Sequence, residues 1–485
     1  MAQTIENMKD ITLPLLSSWN GAGLTFDHKA DVIDLLDRHS DEELGQNLAA
    51  VIILIRLMIS FDETKLLDRC VSVFERNIDS YDGVDKNHLL MNFERFIGLS
   101  KYNNIAEMTE HFRKALTYLD GPFTGEERVG NWTFGSPSVL LMFHRDSGGL
   151  SRELEFMREG MPIYYELTDG HGYGAEFVME AEAAFNAGDF TEAETTAHKA
   201  WYYAREKDQW SIMLTAVFLQ MRLLLFKGDW FEILNNKRRI AETMEREKLN
   251  LLRHTLDICE SGIFLLLDMP DMVTPWIAEG DASLTRVMFP AKPALNIVYG
   301  RYLLARGEHA KLCGAAGGAR TTAANLNCLL GVIYSDIYLA AARFSLGQES
   351  AAIDRLRTAL DAALPDNILM PFAENAGYIK ELLNRLKNAE RYTERITRVF
   401  ELHKNFEQTK KIIQRKHFPR KTDVLSDDEY ETASLAARDF SNKQIAEKLF
   451  LTEAAVKSRL INIFQKLKIS KRKQLKDIFG VDSKM

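Results

Sequence analysis

The chain has 485 residues, 46% apolar and 27% charged; this excludes a disordered or fibrous protein and, at that length, predicts several domains or a repeat array. The formal charge of -8 hides an asymmetry, because residues 408–485 carry 18 Lys and Arg against 10 Asp and Glu, and the remainder 43 against 59. The C-terminal segment is therefore expected to meet a polyanion, whereas no apolar run approaches the roughly 20 residues that would make a membrane a partner.

In chain order, the opening MAQTIENMKDITLP lacks the basic flank, apolar middle and cleavage site of an export signal, so a cytoplasmic location is expected. Cys70, Cys259, Cys313 and Cys328 form no CxxC pair and have no histidine at ligand spacing, which argues against disulfides and a metal site. Apolar residues recur at three and four almost throughout while period-two runs are scarce, so the chain reads as all-α. Residues 1–85 read as an N-terminal helical region and 86–402 as a helical-repeat domain. Within the latter, EMTEHFRKALTYL has Phe112 and Ala115 at the offsets of the second helix of a hairpin. Trp132, Phe134, His144, Arg145, His171 and Tyr173 then gather stacking and hydrogen-bonding side chains around a Gly-rich turn. They form one candidate ligand cluster.

Four stretches repeat a common plan: AEAAFNAGDFTEAETTAHKA around Gly188, MRLLLFKGDWFEIL around Gly228, GRYLLARGEHAKL around Gly307 and AAARFSLGQESAAIDRLRTALDAALP around Gly347. Each is a helix closing on a glycine, a short turn and a second helix, with the glycine expected in the left-handed conformation. Small residues follow where two helices approach closely, at Ala193, Ala200, Ala352 and Ala359, and Pro365 stops the last copy. The period resembles the tetratricopeptide pattern, so the fold expected is an α-solenoid of tetratricopeptide-like hairpins. In such a hairpin the position six residues before the glycine faces the concave groove. That register selects Glu182, Arg222 and Arg301, with Ala341 in the fourth copy, as a second candidate ligand set.

Residues 403–424 lose the apolar period and contain Pro419, and read as a linker. In 425–485, Ser441 caps a short helix with an Ile445, Ala446 and Leu449 stripe. Thr452 caps the next, whose Val456, Leu460, Ile463, Phe464 and Leu467 face inward while Glu453, Ala454, Lys457, Ser458, Ile461, Asn462 and Gln465 face out. Two short helices joined by a tight turn make a small helix-turn-helix domain. From Arg438 to Lys476 there are 11 basic residues against 3 acids, the charge that duplex phosphates attract. Lys457, Ser458 and Ile461 are placed to read bases; Lys443, Thr452, Arg459, Asn462 and Lys466 are placed to contact phosphates.

The stretch LSDDEYETASLAARDFSNKQIAEKLFLTEAAVKSRLINIFQKLKISKRKQL resembles a LuxR/GerE-type DNA-binding domain. Leu425, Glu429, Ser441-Asn442-Lys443, Ile445-Ala446, Leu449, Val456-Lys457, Lys466-Leu467 and Arg472 stand at matching positions, and the match adds Arg472 to the candidate DNA contacts. Asp439 stands where glycine is usual, Ala455 for a threonine, Arg459 for a frequent histidine and Asp428 for a common arginine. The segments NWTFGSPSVLLMFHR, MPIYYELTDGHGYGAEFVMEAEAAFNAGDF and ALPDNILMPFAE resemble the helical repeats of MalT-like regulators of the same family. That resemblance implies promoter DNA, RNA polymerase, a small-molecule inducer and a second copy of the chain on DNA as partners. The phosphate-cradling GxxxxGK[ST] loop that precedes such repeats is absent from this sequence, so no cofactor is expected in the chain. No nucleophile–base or metal constellation has a recognisable spacing, so no enzyme is expected. The alternative to a ligand-responsive regulator is a helical-repeat scaffold with a C-terminal docking module.

Overall fold

The computed structural model describes residues 12–18, 28–119, 130–281, 287–387, 390–419 and 421–479. The expected regions 1–85 and 425–485 and the expected linker each extend in part outside the described residues. Among the described residues every regular element is a helix, in agreement with the all-α expectation. The chain divides into two compact units, Met1–Leu223 with Leu234–Lys404, and Leu224–Ile233 with Asn405–Met485.

The first unit is built from successive antiparallel hairpins. Ala175–Ala187 pairs with Phe190–Glu206, Lys292–Arg306 with His309–Asn325, and Leu329–Ser345 with Glu349–Ala363. Gly188 shows why these helices end where they do. Its φ is 79°, and from that conformation the turn returns hydrogen bonds to Ala184 and Phe185 that an L-residue makes only with strain. Gly228, Gly307 and Gly347 share the geometry at φ 73°, 72° and 76°. Ala193, Ala200, Ala352 and Ala359 are fully buried where the paired helices meet, as their spacing requires. Nearer the N-terminus, Leu48–Phe61 is buried on almost every side and anchors a separate apolar core with Val73, Phe74 and Phe93.

Two expectations need correction. Trp210–Lys227 is long and apolar enough, by composition, to cross a membrane, although two-thirds of it is buried inside the fold and it carries Arg222. Such a helix equally suits a protein core. The linker read at 403–424 is largely helix: Glu390–His417 runs unbroken for 28 residues. The apolar stripe is thin but present, because Phe406, Lys410 and Ile413 are buried one turn apart. The Lys410 stem supplies hydrocarbon that the sequence pattern counts as charge. Phe406 stacks on Phe226 at 4.9 Å and Phe418 meets Trp230 edge-on at 5.0 Å.

Candidate nucleic-acid interface and central cavity

In the second unit the domain is assembled by its caps. Ser426 and Ser441 open Asp427–Ala437 and Asn442–Leu449 with reciprocal capping boxes through Glu429 and Gln444. Thr452 opens Glu453–Leu467, accepting from the Ala455 N–H at 3.1 Å. Ile445, Ala446, Val456, Leu460, Ile463 and Leu467 then close on Leu425, Ala433 and Leu475 as one buried core. The tight turn is made by Phe450 at φ 53°, with the Leu451 N–H returning to Ala446 at 2.9 Å. Asp439, found where glycine is usual, does hold a left-handed φ of 65°, and its carboxylate pairs with Lys476.

This packing leaves one face of Glu453–Leu467 open. Glu453, Ala454, Lys457, Ser458, Ile461, Asn462 and Gln465 are all exposed, Ile461 at 50%, matching the outward set expected. Lys443 and Thr452 are exposed beside it. The remaining three candidates are bonded to other groups of the domain, Lys466 while still exposed. Arg459 donates to Thr432 at 3.2 Å and lies 3.5 Å from the Asp428 carboxylate. Lys466 pairs with Glu429 at 2.6 Å. Arg472 donates to Asn442 at 2.7 Å and to the Phe440 carbonyl. These cations brace helices against one another, and sequence spacing alone could not show that carboxylates and carbonyls from distant positions would reach them. The last helix, Gln474–Phe479, buries Leu475 and turns Phe479 toward Tyr430 of the same domain at 5.2 Å.

In the first unit a cavity of about 100 Å³ is lined by Glu182, Arg222 and Arg301 together. The common register therefore brings the three charges into one site. Its polar wall is completed by Ser138, Asn186, Tyr334, Glu374 and Asn375, and its apolar wall by Leu141, Phe218, Leu265, Ile297, Val298 and their neighbours. Arg222 pairs with Glu374 at 2.7 Å, and the Tyr334 hydroxyl donates to the same carboxylate at 3.0 Å. Arg301 Nη1 donates to the Glu374 carbonyl at 2.7 Å and to Asn375 Oδ1 at 2.5 Å. Glu182 accepts from the Leu140 N–H at 2.7 Å. Burial pushes its carboxyl up to about 7, against the opposing pull of that N–H, Ser138 and Arg222.

The other proposed cluster lies apart from this cavity. Trp132 is buried against Phe143 at 5.6 Å, and its indole fills the space beside Gly172 where a Cβ would come within 2.5 Å. His144 is buried between Glu153 at 2.6 Å and Asp366 at 3.5 Å; Arg145 lies beside Asp146 at 3.3 Å. His171 bonds the Tyr164 hydroxyl at 2.9 Å, Tyr173 meets Tyr165 edge-on, and Phe134 occupies a left-handed turn at φ 51°. None of these residues lines the cavity with the three charges.

What the sequence reading missed on the cavity wall was within reach of helical periodicity. Tyr334 and Tyr338 precede Ala341 by seven and three residues, Phe218 precedes Arg222 by four, and Ile297 and Val298 precede Arg301 by four and three. Those are same-face offsets. Glu374 and Asn375 belong to Met370–Lys387, outside the four glycine-marked copies, and no repeat signal marks them.

Among known proteins, residues 423–479 match the family described as bacterial regulatory proteins, luxR family. No curated protein matches the chain. The matched segment spans the three capped helices, the last helix and the open face just described. Residues 423–479 therefore form a helix-turn-helix domain of the kind found in bacterial regulatory proteins of the luxR family.

Proposed function

We propose that the chain is a ligand-responsive transcription regulator acting in the cytoplasm. A small-molecule inducer occupies the cavity of the first unit, and its occupancy sets how the luxR-type domain engages promoter DNA as a homodimer, with RNA polymerase as a further partner. One observation chiefly supports this reading: three charged side chains at one register of three hairpins line a single, mostly apolar cavity, the composition of small-ligand sites. A route for the signal exists along one helix. Arg222 is a cavity residue and Phe226, one turn later on Trp210–Lys227, stacks on Phe406. An inducer works this route only by favouring one arrangement of that helix over another.

The test uses Gly262, which lines the cavity and has its nearest neighbours 3.7 Å from an added Cβ. Gly262→Leu thus fills the space without breaking an ion pair. Small molecules that raise the melting temperature of the full chain are expected to lose their effect on this variant. Its unliganded DNA affinity is expected to stay within about threefold, under 1 kcal/mol. Molecules that stabilise parent and variant equally bind elsewhere and overturn the reading.

A further inference from the structure

Resting on the reading of the cavity as the sensor site, we infer that its ligand is a small carboxylic acid with a hydrocarbon body, the carboxylate held by Arg301. Two features of the wall lead to this. The first is the division of labour among its charges. Arg222 is matched by the Glu374 carboxylate at 2.7 Å, whereas Arg301 Nη1 is met only by neutral acceptors, the Glu374 carbonyl and Asn375 Oδ1. The nearest carboxylate to Arg301 is Asp268, with Oδ1 3.8 Å from Nη2, beyond hydrogen-bond length.

The second is an unmet donor. Arg301 is only 5% exposed, and among the described residues its Nε has no hydrogen-bond partner. A buried donor without an acceptor carries a desolvation cost that a bound acceptor removes. Nε and Nη2 form one edge of the guanidinium, with parallel N–H bonds spaced to meet two oxygens of one carboxylate. Nη1, on the far side, is already engaged, so the edge without a hydrogen-bonded acceptor is the bidentate one, with the Asp268 carboxylate facing it only at 3.8 Å.

The rest of the wall fits a hydrocarbon body. Leu141, Phe218, Leu265, Leu266, Ile297 and Val298 line it, and offer an apolar chain or ring dispersion contacts and release from water. A sugar or other polyhydroxylated ligand would leave most of its hydroxyls without partners there. Glu182, the remaining acid on the wall, is bonded to the Leu140 N–H at 2.7 Å, and its raised pKa of about 7 limits its repulsion of a second carboxylate.

The inference is tested on the full chain with matched probes: hexanoate against hexanamide, and hydrocinnamate against hydrocinnamamide, by calorimetric titration at constant ionic strength. At least one carboxylate is expected to bind about tenfold or more tightly than its amide, and Arg301→Met to bring the two level. Should Arg301→Met fail to fold, the acid–amide comparison on the unaltered chain decides alone. An amide that binds as well as its acid overturns the carboxylate assignment; if Gly262→Leu abolishes that binding, the sensing cavity itself stands. Failure of every probe to bind overturns the ligand class, while the unbiased small-molecule screen with Gly262→Leu still judges the cavity separately. Acid binding that survives Gly262→Leu places the site elsewhere and overturns both.

Discussion

At the scale of single residues, the basic side chains of the DNA-binding domain fall into two groups that sequence position does not separate. Lys457 is exposed on the open face of the recognition helix, where an ammonium reaches base acceptors in the major groove. Lys457→Ala is expected to cost about 1–3 kcal/mol of specific binding and to relax preference at one base pair. Equal loss on every duplex in a mobility-shift panel would instead make Lys457 a phosphate contact. Lys443, also exposed, is expected on alanine replacement to reduce the slope of log affinity against log salt by about one unit. Lys466→Ala should leave that slope unchanged and lower domain stability, because its partner is Glu429; a slope reduced as far as that of Lys443→Ala contradicts the assignment. In the cavity, Glu182 makes a prediction in pH. Burial raises its folded pKa to about 7 from the ordinary 4.5 of a glutamate, so the folded state binds the extra proton between those values. Stability contributed by the neutral form is then complete below the unfolded pKa and is lost as pH rises toward 7, by about 3 kcal/mol. Glu182→Gln is expected to flatten the stability profile across that window in denaturant titrations, and an unchanged slope would assign the pH dependence to other groups.

At the scale of elements, caps and turns explain both what was legible and what was not. Ser441, Thr452 and the closing glycines announce helix ends through chemistry confined to a few adjacent residues, so local sequence suffices to place them. The helix over 403–417 was missed because its buried stripe is built from Phe406, Ile413 and the stem of Lys410, and an amphipathic lysine counts against an apolar period. Spacing puts Arg459 beside the reading face and the family resemblance adds Arg472, and neither signal registers their partners, Asp428 and Asn442, about thirty residues away. Only the folded domain brings them together. The turn before the recognition helix offers a direct test of backbone energetics. Phe450 holds φ 53° while 94% exposed, so its ring contributes little burial against the left-handed strain. Phe450→Gly is expected to stabilise the protein's C-terminal transition by about 1 kcal/mol in urea titrations. A destabilised variant would show instead that the exposed ring is held by contacts that matter.

At the scale of the whole molecule, the chain joins a luxR-type DNA-binding domain to hairpins enclosing a cavity of mixed apolar and charged character. The DNA-binding half was readable because its motif is compact and its charge is concentrated. The cavity in the helical region was readable only at the register of the closing glycines, which identified Glu182, Arg222 and Arg301 but not Glu374, whose carboxylate matches Arg222 from a helix outside the repeats. Aromatic and histidine residues around Gly172 looked equally suited to a ligand in sequence, and the fold spends them on its own packing. The account rests on coupling between the cavity and DNA, and linkage makes that coupling measurable from either side. The decisive measurement is the anisotropy of a labelled promoter duplex titrated with the full chain at graded concentrations of a cavity ligand. The account predicts a change in DNA affinity of about 5- to 150-fold that saturates with the ligand's own binding curve, an equal effect of DNA on ligand affinity, and loss of both in Gly262→Leu. A ligand that saturates the cavity while DNA affinity stays constant would contradict it.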